Sequence, residues 1–451
     1  MPDAMPHEDL VNVMLTKAGS GTVHSSPVDT LKCDPACAMA TASFARSTQL
    51  TLEATPAPGQ LFVGWTGACT GIARSCTVTL ADNTTISATF KPITANVVFM
   101  TAATFDGNLG GLAGADQKCA DEASAVGLSG HYVALLSTDT VNATARLVVP
   151  GTQTPARGFV RMDGLPVADK LDDLFSKNVM WYPVLYDAQG HALLSSDYVD
   201  GDDQFALTGS WGNGLARPGS TCDGFTNSSD TLSVRTGETG SGPGTWMSSV
   251  GGSCAPLGVY GKSGHLYCAG VDSTQPVTLA SPPAGKRIYT TKGDLHMGGR
   301  AAADALCAAE KPAGAVTVKA LLTTTDAPAA NVLKADTTYL RVDGTVVGTG
   351  AQLIAVSRGQ GLLGTGIWQH GDGSYADEEN NNGYRWLGVP GEDAGLDVVG
   401  TAASTCADWT ASDGRSGGSF GYSKYVHHLA LTGRPNYSCY DDYLPIFCVE
   451  Q

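Results

Sequence analysis

The sequence predicts a three-part protein: an all-β module followed by two copies of one domain that mixes strands with helices. Three observations carry that expectation. Residues 10–92 alternate apolar and polar positions in short runs separated by Gly, Pro, Asn and Asp, the period-2 pattern of half-buried strands. A glycine turn that feeds a cysteine-bearing helix occurs twice, at residues 107–123 and 298–310, and an internal repeat of this kind divides a chain before anything else is read. Twelve cysteines fall four to each part. The length of 451 residues accommodates about three domains.

Residues 1–9 are a polar spacer, and the β module runs from 10 to 92. Its strands are expected at Val11-Asn-Val-Met-Leu-Thr, Gln49-Leu-Thr-Leu-Glu-Ala, Leu61-Phe-Val-Gly-Trp, Cys76-Thr-Val-Thr-Leu and Thr85-Ile-Ser-Ala-Thr-Phe. The succession Gly19-Ser-Gly-Thr-Val, Cys33-Asp-Pro-Ala-Cys37, Phe62-Val-Gly-Trp-Thr-Gly-Ala-Cys69 and Ile86-Ser-Ala-Thr-Phe90 resembles the divergent bacterial β-repeat related to internalin B repeats. That resemblance implies an immunoglobulin- or ubiquitin-like stalk that displays the rest of the chain. The short loops favour bridges Cys33–Cys37 and Cys69–Cys76, with pairing across the two loops as the alternative.

The first copy spans 97–272, a Pro-rich linker 273–285, and the second copy 286–451. The repeat aligns Gly-Gly, an Asp three residues before the cysteine and a Glu three after it: Asp116, Cys119 and Glu122 against Asp304, Cys307 and Glu310. In the first copy the helix is expected from Ala115 onward, because glycine loses the most backbone entropy in a helix interior. Strands are expected at Val97-Val-Phe-Met-Thr-Ala and again at Phe159-Val-Arg-Met-Asp-Gly, which returns as Tyr339-Leu-Arg-Val-Asp-Gly. The cysteine intervals are 103, 32 and 14 residues in one copy and 99, 33 and 9 in the other. One helix cysteine far from three clustered late ones favours nesting, first with fourth and second with third. Closing so long a loop stabilises by about 4–5 kcal/mol in the chain-entropy model.

Both copies resemble endostatin-type domains, a branch of the C-type-lectin-like fold, and related bacterial secreted domains. The first carries this in Gly107-Asn-Leu-Gly-Gly-Leu-Ala-Gly-Ala-Asp-Gln-Lys-Cys119, Ser220-Thr-Cys222 and Leu266-Tyr-Cys268. The second carries it in Arg385-Trp-Leu-Gly388, Ser404-Thr-Cys406-Ala-Asp-Trp409 and Ile446-Phe-Cys448-Val-Glu450. The resemblance implies an α+β domain with a twisted, mostly antiparallel sheet, and the bridges Cys119–Cys268, Cys222–Cys254, Cys307–Cys448 and Cys406–Cys439. It does not bring the family's ligands. The arginine-rich surface and N-terminal histidines of endostatin have no counterpart, and neither do the calcium motifs of sugar-binding C-type lectins.

A formal charge of −16 argues against nucleic acid and heparin-like polyanions as partners. Even, matched cysteines point to an oxidising compartment. The expectation is a secreted or cell-surface bacterial protein with a leader or lipid anchor upstream of residue 1. No HExxH motif, P-loop or lone cysteine with a partner histidine suggests catalysis. The function expected is non-catalytic adhesion to an extracellular glycan or surface protein. A structural subunit of a surface assembly is the alternative, and an enzyme on the lectin-like fold ranks below it. Candidate ligand residues are Trp211, Asp200, Asp202 and Asp203 in the first copy, and Trp368, Tyr384, Asp377, Glu378 and Glu379 in the second. Exposed aromatics can stack on sugars or anchor a partner protein. Asp372, Asp377 and Glu378 share one acidic loop whose oxygens could hold calcium, whereas Trp386 and Trp409 are expected in the core.

Overall fold

The computed structural model describes the chain except residues 1–8, 27–28, 195–204, 260, 262, 377–382, 393, 412–416 and 440–443. The N-terminal module contains β1 (Leu10–Ala18), β2 (Gly21–Ser26), β3 (Lys32–Cys33), β4 (Met39–Ala45), β5 (Gln49–Pro56), β6 (Gln60–Gly67), β7 (Ser75–Thr79) and β8 (Thr84–Pro92). They form two four-stranded sheets, ordered β4-β1-β8-β6 and β3-β2-β5-β7. Alternation decides which face is which: Val11, Val13 and Leu15 of β1 are buried, while Leu10 and Met14 point out. The two inner faces share one core in which Phe62 lies 5.0 Å from Trp65 and 5.4 Å from Phe90, ring to ring. Among the described residues the module has no helix, so the sandwich rather than the ubiquitin-like architecture is found. Its bridges are the local ones, Cys33–Cys37 and Cys69–Cys76.

The rest of the chain is mostly sheet with few helices, and it shows one layout twice. In the first copy β9 (Asn96–Met100), β10 (Tyr132–Ala134), β11 (Phe159–Val160), β12 (Pro166–Ala168) and β16 (Tyr267–Gly270) form a sheet ordered β10-β16-β9-β11-β12. Strands β13 (Phe205–Leu207), β14 (Ser233–Glu238) and β15 (Gly251–Ser253) make a second, three-stranded sheet. The second copy repeats both. Its five-stranded sheet is β18-β24-β17-β19-β20, from β17 (Lys286–Thr290), β18 (Val318–Ala320), β19 (Thr338–Leu340), β20 (Val346–Thr349) and β24 (Phe447–Glu450). Its smaller sheet comes from β21 (Tyr384–Trp386), β22 (Gly417–Tyr422) and β23 (Arg434–Ser438). In each large sheet one strand pair is parallel, β9 with β11 and β17 with β19, and the others are antiparallel.

The repeated Asp, Cys and Glu explain why the layouts agree. Helix α1 (Gly111–Ala125) and helix α3 (Gly299–Ala309) carry them, with α2 (Leu171–Ser176) between and α4 (Gly350–Ser357) after. Asp116 accepts the Ala134 N–H of β10 at 2.9 Å, and Asp304 accepts the Ala320 N–H of β18 at 2.9 Å. Glu122 accepts the N–H groups of Ala102 and Ala103 just past β9; Glu310 does the same for Lys292 and Gly293 past β17. Cys119 and Cys307 bridge to Cys268 and Cys448 in the last strands, and Cys222–Cys254 and Cys406–Cys439 complete the nested pairs. One helix face thus fixes an edge strand, the closing strand and the first loop. Helix α1 starts four residues earlier than expected. Gly111 enters it with φ +72°, and Gly114 lies within it because a Cβ there would sit 2.1 Å from the Leu109 carbonyl oxygen.

The two copies pack on each other through matching positions. Bridges Met100↔Asp187 and Thr290↔His370 make Leu185 and Trp368 equivalent residues. Leu185 is buried in the second copy's core, and Trp368 in the first copy's. Trp368 donates its indole N–H to the Met180 carbonyl at 3.2 Å, and Thr365 donates its hydroxyl to the Trp181 carbonyl at 2.7 Å. Arg341, with no exposed surface on its side chain, donates to the same Met180 carbonyl at 2.9 Å and to Asp343 at 2.8 Å. Burial would raise the Asp343 carboxyl, but Arg341, the Tyr375 hydroxyl and Thr345 outweigh it and hold it below the ordinary carboxylate range. Lys424 and Glu238 close the contact with a buried ion pair of 2.8 Å.

Candidate functional site

Of the expected ligand aromatics, only Trp211 stands in solvent. It opens a tight hairpin, Trp211-Gly-Asn-Gly-Leu215, whose loop closes on Gly214, the one residue of the five with a positive φ and the left-handed closing position that such a loop requires. The Trp211 N–H donates to the Leu215 carbonyl and the Gly214 N–H to the Trp211 carbonyl, each at 2.9 Å. The base of the hairpin is fixed from below. Ser210 and Ser137 share a buried hydroxyl contact of 2.7 Å, and Asn142 accepts the Ala216 N–H at 2.8 Å. Gly214 has φ +71°, and a Cβ there would press on the Phe175 ring at 2.7 Å. The backbone approach to α2 therefore excludes any side chain at that position.

This frame presents three side chains. Trp211 is 42% exposed and Leu215 45% exposed. The Arg217 guanidinium lies 4.2 Å from the Trp211 ring centroid and covers one indole face. Such a contact is worth about 0.5–1 kcal/mol at an exposed site, and it holds the indole in one orientation. Trp211 is among the residues expected from the sequence; Leu215 and Arg217 are not. Gly212-Asn213-Gly214 is the signal that points to them, since a tight hairpin loop sets the side chains that flank it close together.

The other expected residues fare differently. Trp368, expected to face a ligand, is instead fully buried because the neighbouring copy covers it, and it is no ligand residue. Tyr384 is half-buried, its ring 4.5 Å from Phe420, 5.1 Å from Tyr422 and 5.6 Å from Tyr437. It belongs to an aromatic cluster on the small sheet rather than to a presented loop. Trp386 and Trp409 are core, as expected. Asp372 caps its own turn through Ser374 and pairs with Lys292 at 2.6 Å. Lys292 first, then Ser374, hold its carboxyl well below the usual carboxylate range. Asp200, Asp202, Asp203, Asp377, Glu378 and Glu379 lie outside the described residues. Among the described residues, no three His, Cys, Asp or Glu side chains gather where one metal ion could be held.

A cleft of about 350 Å³ lies between the connecting residues 93–95 and the first copy, lined among others by Asn96, Tyr132, Asp272 and Gln275. Its carboxylate is engaged, since Asp272 holds the His131 ring and backbone N–H, each at 2.7 Å. In the second copy Val389 and Pro390 occupy the positions of Ser210 and Trp211, counted from Gly209 and Gly388, which both follow the small sheet's first strand. The Trp211 surface is therefore specific to the first copy.

No curated protein matches the chain. Residues 36–94 match the family model described as the divergent InlB B-repeat domain. The match takes in β4 to β8, so the N-terminal module carries that repeat.

Proposed function

We propose that the chain is a secreted or cell-surface binding protein without catalytic activity. In this reading the N-terminal repeat holds out two endostatin-like domains of the C-type-lectin-like fold, and the Trp211 hairpin of the first meets an extracellular ligand. The lectin-like assignment is supported by the helix stapled to the closing strand, the mostly antiparallel five-stranded sheet and the nested bridges found in both copies. The observation that carries the functional reading is the Trp211 hairpin itself. A large aromatic and a leucine stand in solvent, with a half-buried arginine against the aromatic ring, on a turn whose base is buried and hydrogen-bonded.

Trp and Arg are the residues most enriched where binding energy concentrates in protein interfaces. Arg217 already covers one indole face, which favours a protein partner; the open face suits a sugar ring as the second reading. The full chain is to be screened against extracellular surface proteins and a glycan array, alongside Trp211→Ala and Leu215→Ala. Loss of a hot-spot side chain costs at least about 2 kcal/mol, so Trp211→Ala is expected to weaken the captured interaction about thirtyfold with the melting temperature unchanged. Binding that ignores both substitutions would remove the hairpin from the ligand site. Binding that disappears with EDTA alone would move it to the acidic loop around Asp372.

A further inference from the structure

Strand β4 is an edge without the usual protection. It pairs with β1 on one side, and no strand among the described residues pairs with the other. Its sequence, Met39-Ala-Thr-Ala-Ser-Phe-Ala45, has no charge and no proline, the two devices that natural edge strands most often use against pairing with another chain. The far edge of the same sheet differs. There β6 is covered by the Gly71 segment, which accepts the Trp65 N–H at 2.8 Å, and its Leu61 is buried in the first copy's core.

The edge is also complementary to itself. Arg46 donates its N–H to Asp9, and Lys17 donates to Ala38, so the even-numbered residues of β4 turn their backbone groups toward β1. By the alternation of an antiparallel ladder, Met39, Thr41, Ser43 and Ala45 turn theirs outward. An antiparallel match of two copies centred on Ala42 places Thr41 opposite Ser43 and Met39 opposite Ala45, all residues with outward backbone groups. It sets Phe44 opposite Ala40, large against small, on the inner face where both already pack at the rim of the core. On the outer face Met39, 60% exposed, would lie over the partner's Ala45. Beside Ala45 in the register is Leu10, 52% exposed. The match therefore covers two of the large apolar side chains that the module leaves in water.

We propose that β4 is a self-association edge through which a second copy of this chain adds antiparallel across Ala42, joining two four-stranded sheets into one of eight. This stands apart from the Trp211 reading: the two surfaces lie on different modules, and either can fail alone.

The test uses the full chain, whose described cysteines are all in disulfides. Sedimentation between about 1 and 100 µM is expected to show a monomer–dimer equilibrium. Thr41→Pro, which removes one outward N–H and none that faces β1, is expected to leave a monomer. Thr41→Lys serves the same purpose should the proline variant fold poorly. Register is read by cysteine. Ala42→Cys sits on the two-fold axis, where facing Cα atoms of a non-hydrogen-bonded pair are about 4.5 Å apart, and should oxidise to a covalent dimer. Ala45→Cys would lie about 20 Å from its copy, six residues along the strand, and should not. A chain that stays monomeric at 100 µM, with both cysteine variants crosslinking equally slowly, overturns the proposal. So does a dimer that survives both Thr41 substitutions.

Discussion

At the scale of single residues, the least comfortable backbone among the described residues is a four-residue left-handed turn present in both copies. Cys406, Ala407, Asp408 and Trp409 all have φ between +49° and +64°, as do Cys222, Asp223 and Phe225 around Gly224. A side chain in this conformation costs about 1–2 kcal/mol per residue, so other contacts have to impose it. They do. Cys406 is held by its bridge to Cys439, Asp408 accepts the Thr325 N–H at 2.7 Å, and the buried Trp409 donates its indole N–H to the Thr323 carbonyl at 2.9 Å. Ala407 alone has an exposed methyl with no partner to lose. Ala407→Gly is therefore expected to stabilise the second copy by about 0.5–1 kcal/mol, the strain relieved less the entropy glycine adds to the unfolded chain. A denaturation midpoint that falls would show that the turn is not strained at this position. Spacing favoured the nested cysteine pairs and the resemblance implied them, as it did the burial of Trp386 and Trp409, whereas spacing left the β module's pairing with an alternative that the structure decides. The burial of Trp368 was not legible in the sequence, since what buries it lies about 180 residues away along the chain.

At the scale of elements, the two glycine turns show what a repeat encodes. The shared Gly-Gly, Asp, Cys and Glu were visible in the sequence, but their division of labour is a property of the helix. Spaced three apart, the Asp, Cys and Glu fall on one face, and each reaches a different strand or loop. The start of α1 was misplaced because composition says that glycine avoids helices. It cannot say that Gly114 passes too close to the Leu109 carbonyl to carry a Cβ. The second copy has Ala302 at the matching place, counted from the cysteines, so the close approach belongs to the first turn alone. Gly114→Ala is expected to destabilise the protein by about 2–3 kcal/mol, near the upper end of ordinary single substitutions, and to lower its melting temperature accordingly. A calorimetric trace identical to the parent's would mean that Leu109 yields without cost. Strand β4 escaped the sequence reading for a related reason. Its alternation runs through Ala, Thr and Ser, whose contrast in hydropathy is too small to reveal a period.

At the scale of the whole molecule, the duplication is more than two beads on a linker. Leu185 and Trp368 exchange cores, Arg341 spans from one copy to a carbonyl of the other, and Lys424 meets Glu238 with side chains only 7% and 4% exposed. Only the sequence repeat hinted at this, since no periodicity records which faces of two similar domains meet. The buried pair gives the clearest measure of the contact. Glu238 also accepts the Ser249 hydroxyl, and Lys424 stands 5.0 Å from the centre of the Tyr425 ring, so each charge is fixed by its own copy before the two meet. Removing one partner strands the other charge away from water, which costs about 3–5 kcal/mol; replacing both with apolar groups of similar size is often neutral. Lys424→Met is therefore expected to lower the melting temperature and to separate the copies into two calorimetric transitions. Lys424→Met combined with Glu238→Leu should restore most of the loss and a single transition. If the double variant is no better than the single one, the contact depends on the lysine for something other than its charge. If the single variant costs less than about 1 kcal/mol, water reaches the pair and the two copies are not one folding unit.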